Sequence, residues 1–63
     1  MTSDAAIWAD LSHRIAAHAE IIGREPDAAD IGARITDTAE ALNVDRDTVL
    51  RVYRERSTAA IGG

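Results

Sequence analysis

Along the first third of the chain, Trp8, Leu11, Ile15, His18 and Ile22 follow one another at steps of 3, 4, 3 and 4 residues, with Ile7 beside them. That is the period of one face of an α-helix, and it predicts a helix over about 4–22. Ser3 or Asp4 supplies its N-cap, and the Asp4 carboxylate suits the positive helix end. Gly23 stands where a left-handed residue ends a helix. A second series, Ala28, Ile31, Ile35, Ala39 and Leu42, advances by 3, 4, 4 and 3 residues and predicts a helix over about 26–42. Pro26 is expected in its first turn, where the missing amide costs nothing, with Asp27 and Asp30 beside it. Gly32 weakens this helix by ~1 kcal/mol relative to alanine and is the place for a kink. A break near Ile35 competes, since Thr36 or Asp37 could recap the helix there, with Asp37 and Glu40 spaced as a capping box. The unbroken apolar series favours one helix.

The third series is Val49, Val52 and Tyr53, and it predicts a helix over about 46–57 followed by a flexible tail, 58–63, ending in Gly62-Gly63. Between the second and third helices stands Asn43, which tolerates a left-handed backbone better than any residue but glycine. Val44 then returns to the core. Asp45 is placed to cap the next helix by accepting the amide of Asp47 or Thr48.

Thr38 to Tyr53 reads TAEALNVDRDTVLRVY. The order alanine, leucine, turn residue, valine, cap, threonine-valine, valine resembles the helix-turn-helix of lac-repressor-type bacterial regulators. There the pattern runs roughly V-A-x-x-[AL]-G-V-S-x-x-T-V-x-R-V. The likeness covers about a quarter of the chain, and spacing, turn residue and cap agree together. It implies an all-α, three-helix domain, 1–63, whose last two helices form a helix-turn-helix without a wing. It also implies double-stranded DNA as partner, read in the major groove by a homodimer. The positions that would meet DNA are Arg46, Asp47, Thr48, Leu50, Arg51 and Arg54. Arg46 and Arg51 can each donate two hydrogen bonds to guanine or clamp a phosphate. Thr38 is a further candidate phosphate contact. The chain departs from the family at Asp45, where the pattern has serine, and it adds a carboxylate at Asp47 and a large apolar group at Leu50.

Composition narrows the alternatives. The chain has 63 residues and no cysteine, so neither a disulfide framework nor a thiolate metal site exists. Thirteen residues are alanine, so the core is thin, and association would help it. The stripe Trp8, Leu11, Ile15, His18 and Ile22 is therefore also the expected dimer interface, either as a core helix face or as a short coiled-coil-like seam. No apolar run reaches the ~18 residues of a membrane span, and the first residues lack a basic start, so a cytoplasmic bacterial or phage protein is expected. The formal charge is −4, concentrated in residues 1–33, whereas residues 34–63 hold equal numbers of acids and arginines. An acidic balance also suits a second class of function, a small protein-binding module such as an accessory subunit, antitoxin or phage-type inhibitor. It would use the Leu50/arginine face or the Trp8-Leu11-Ile15 face. His13 and His18 lie about 140° apart around a helix, which is not metal-ligand spacing. No catalytic constellation, metal site or cofactor is expected.

Overall fold

The computed structural model describes residues 2–62, with side chains described for 2–58. Three helices follow in order: α1, Asp4–Ile22; α2, Ala28–Leu42; and α3, Arg46–Gly62. The fold is all-α, as the apolar spacing predicts, with no strand among the described residues. None of these helices is long and apolar enough to cross a membrane.

Each boundary has a local cause. Ser3 Oγ accepts the Ala6 amide at 3.1 Å and starts α1. Gly23, at φ +69°, ends it and donates its amide to the Ala19 carbonyl. The start of α2 differs from expectation. Asp27, not Pro26, is the boundary residue, because Asp27 and Asp30 form a reciprocal capping box: Asp30 N–H to Asp27 Oδ1 at 2.9 Å and Asp27 N–H to Asp30 Oδ2 at 3.2 Å. Pro26 falls just outside the helix.

α2 then continues unbroken to Leu42. Neither residue of the competing break behaves as a cap. Thr36 Oγ1 bonds back to the Gly32 carbonyl at 3.3 Å, and Asp37 pairs with Arg34 at 2.9 Å. Helix α3 runs past the expected end at 57, since Ser57-Thr58-Ala59-Ala60-Ile61 contains no breaker and alanine is the best helix former. Of the tail expected at 58–63, Gly63 lies outside the described residues.

The core is a small cluster drawn evenly from the three helices: Ile7 and Leu11 from α1, Ile35 and Ala39 from α2, Val49 and Val52 from α3. Around it pack Trp8, Ile15, Ile31, Leu42, Val44, Leu50 and Tyr53, each partly buried. On α1 the buried pair is Ile7 and Leu11, so the helix is turned slightly from the Trp8-centred stripe. Among the described residues, Thr38 is the one polar side chain buried with this cluster, fully out of solvent, and its hydroxyl has no hydrogen-bond partner. A phosphate contact by Thr38 is therefore excluded, because nothing outside the domain can reach it.

Candidate nucleic-acid interface

The connection between α2 and α3 is three residues long, Asn43, Val44 and Asp45. Asn43 sits at φ 55°, ψ 48°, in the left-handed region. The Val44 amide donates to the Ala39 carbonyl at 3.0 Å, and the Asn43 amide to the Glu40 carbonyl at 3.3 Å. These are the two bonds of a Schellman ending, and they satisfy carbonyls that the helix leaves open. Val44 is half-buried against the core, so the chain turns with its hydrophobic side inward.

Helix α3 starts differently from the expectation for Asp45. Its carbonyl accepts the Thr48 and Val49 amides, at 3.1 and 3.2 Å, but its carboxylate caps neither Asp47 nor Thr48. The side chain is exposed, where water competes for the same bonds.

With Val49 and Val52 turned inward, Arg46, Asp47, Arg51, Arg54 and Arg56 are exposed, and Thr48 and Leu50 are half-buried. All six positions expected to meet DNA thus lie on one helix. Their cations are in different states. Arg46 lies back across α2: Nε donates to Thr36 Oγ1 at 2.9 Å and Nη2 to the Gly32 carbonyl at 3.2 Å. Arg51 is clasped by two carboxylates, Asp4 at 3.1 and 3.2 Å and Glu55 at 3.2 and 3.3 Å. The hydrogen bond from Arg51 holds the Asp4 carboxyl below its ordinary range, and the same bond raises Arg51. The i,i+4 partner available on the N-terminal side, Asp47, does not pair with Arg51. Arg54 and Arg56 have no carboxylate within ion-pair distance among the described residues.

The expected dimer stripe is divided by the fold. Leu11 is fully buried inside one chain and offers nothing to a second copy. Trp8, Ile15, His18 and Ile22 remain half-buried. His18 belongs to a polar cluster between the end of α1 and the start of α2: Nδ1 lies 2.9 Å from Arg34 Nη1, and Nε2 lies 3.3 Å from Asp30 Oδ1. A guanidinium only donates, so Nδ1 is the acceptor in this contact. Asp30 also pairs with Arg24 at 3.1 Å and accepts the Asp27 amide, and that backbone bond is the first cause of its lowered pKa. Among the described residues, Ile21 is the exposed large apolar side chain, at 82% of its full accessibility. It lies one position off the stripe, where with Ile7, Leu11 and Ile22 the sequence already allows a broader apolar face.

Spacing and burial bring no group of three or more metal-ligating side chains together among the described residues. Comparison with protein-family models, curated proteins and solved structures gives no match, so function rests on this chain's own residues.

Proposed function

We propose that the protein is a small DNA-binding protein, a transcriptional regulator that lays the exposed side of α3 in the major groove and binds paired half-sites as a homodimer. The observation that carries this reading is the α2–α3 junction. A three-residue, Schellman-ended turn leads into a helix whose outer side presents Arg46, Asp47, Arg51 and Arg54. Phosphates would replace Asp4 and Glu55 on Arg51, exchanging charge-assisted bonds to carboxylates for charge-assisted bonds to phosphate. Arg54 and Arg56 need no such exchange. Asp47 accepts from a cytosine amino group or orients an arginine. The half-buried Trp8, Ile15 and Ile22, with exposed Ile21, make the surface for the second copy.

Fluorescence anisotropy of a labelled mixed-sequence duplex, titrated at low and at physiological salt, tests the proposal. The expected result is salt-sensitive binding, with non-specific Kd of ~10⁻⁴–10⁻⁶ M, reduced in Arg51→Ala/Arg54→Ala. Absence of binding at low salt would refute it. The rival class, a protein-binding module, loses Leu11 from one of its two faces. Its other face keeps a specific feature, the groove beneath Leu50.

A further inference from the structure

Between α2 and α3 the surface opens into a groove of ≈ 430 Å³, walled by Ile31, Ile35, Leu50 and Tyr53, with Gly32 and Arg46 at one side. Gly32 leaves the α2 backbone bare at this point, and the Arg46 guanidinium lies over it, with Nη2 donating to the Gly32 carbonyl at 3.2 Å; a Cβ at position 32 would stand 3.4 Å from Nη2, an ordinary contact. The lining is mainly aliphatic and aromatic, which favours an apolar occupant.

Arg46 adds a directional element. Arg14, Arg24, Arg34 and Arg51 each have a carboxylate partner. Arg46 has none among the described residues, and its two bonds go to the neutral oxygens of Thr36 and Gly32. Three of the five guanidinium N–H groups stay available on a cation already held in place. Apolar walls beside a positioned, uncompensated cation complement an aliphatic side chain carried next to a carboxylate.

We propose that the α2/α3 groove docks an acidic amphipathic segment of a partner protein. An aliphatic side chain enters between Ile31, Ile35, Leu50 and Tyr53, and a neighbouring Asp or Glu carboxylate bonds to Arg46, a helix-in-groove mode. A sugar-phosphate backbone would satisfy the cation but gain nothing from the apolar walls. The inference goes beyond DNA binding and does not depend on it. Arg46 and Leu50 belong to both surfaces, so a docked segment and a duplex exclude each other.

The test uses a set of synthetic amphipathic peptides with leucine at i and i+4 and one glutamate at i+1, i+3 or i+7, each with a Glu→Lys counterpart. Binding is followed by nuclear magnetic resonance shifts of the whole chain. Shifts should concentrate at Ile31, Gly32, Ile35, Arg46 and Leu50, and the glutamate peptides should bind about tenfold more tightly than their lysine counterparts, one pairing step of 1.4 kcal/mol. Arg46→Glu, checked for folding by circular dichroism, should invert that preference. Leu50→Ala should weaken both peptide series alike. No shifts in the groove across the set, shifts centred instead on Trp8 and Ile21, or equal affinity for glutamate and lysine peptides would overturn the proposal. The duplex titration is read separately, so failure of one leaves the other standing.

Discussion

Replacing Thr38 by valine should make the protein more stable. Thr38 is completely buried and its Oγ1 has no hydrogen-bond partner. Burying a hydroxyl in that condition costs about 1–3 kcal/mol, the desolvation of a group that regains no bond. Valine keeps the branched shape and has similar helix propensity, so neither packing nor backbone should oppose the gain. For a chain of this length total stability is on the order of 3–9 kcal/mol, so the change is a large fraction of it. Each kcal/mol corresponds to a rise in Tm of about 4–8 °C. Urea unfolding followed by circular dichroism, with thermal melts beside it, reads the effect directly. A Thr38→Ser control keeps the hydroxyl and loses a methyl, and should cost about 1 kcal/mol or more. If valine leaves stability unchanged or lowers it, the hydroxyl is in use. Asp10 is the group to examine then, because the Thr38 hydroxyl contributes to lowering its pKa even though no full hydrogen bond forms at Oγ1. A double-mutant cycle with Asp10→Asn would measure that coupling.

Two further perturbations follow from the boundaries and charges. Gly23→Ala meets no atom within 4 Å at the new Cβ, so its whole cost is the left-handed backbone at φ +69°, about 1–2 kcal/mol in the same urea assay; an unchanged midpoint would mean that α1 does not end as described. The Asp10 carboxyl is held below its ordinary value of 3.8 chiefly by its hydrogen bond from Arg14, 2.7 Å away. A depressed folded pKa contributes stability above the unfolded value and loses it as pH falls through the folded one. Stability should therefore decline below pH 3.8, more shallowly in Asp10→Asn; identical acid slopes in the two proteins would show that Arg14 contributes nothing through this carboxylate.

The helices and their ends were legible because their causes are local. Apolar steps of three and four, Ser3, Gly23 and Asn43 act within a few residues of where they stand. Even so, two local contests were settled by hydrogen bonds that spacing alone does not rank: Asp27 over Pro26 at the start of α2, and back-bonding by Thr36 over a break near Ile35. The arginine face was legible as a list of residues but not as a set of charges. Asp4 and Arg51 are 47 positions apart, and Arg46 reaches Gly32 across 14. No periodicity within α3 encodes either partner. The i,i+4 rule pointed to Asp47, but Arg51 bonds instead to Glu55 and, because α1 packs beside α3, to Asp4.

By itself, then, the sequence determined three helices, the Gly23 and Asn43 ends of α1 and α2, and the inward turn of Ile35, Ala39, Val49 and Val52, though not of Ala28, which is exposed, since backbone preference and the apolar period operate over one or two turns. Tertiary structure alone decided the rotation of α1 that buries Ile7 and Leu11, the clasp on Arg51 and the groove beside Arg46. Each of these depends on how three helix surfaces meet, and that packing is a property of side chains far apart in the chain.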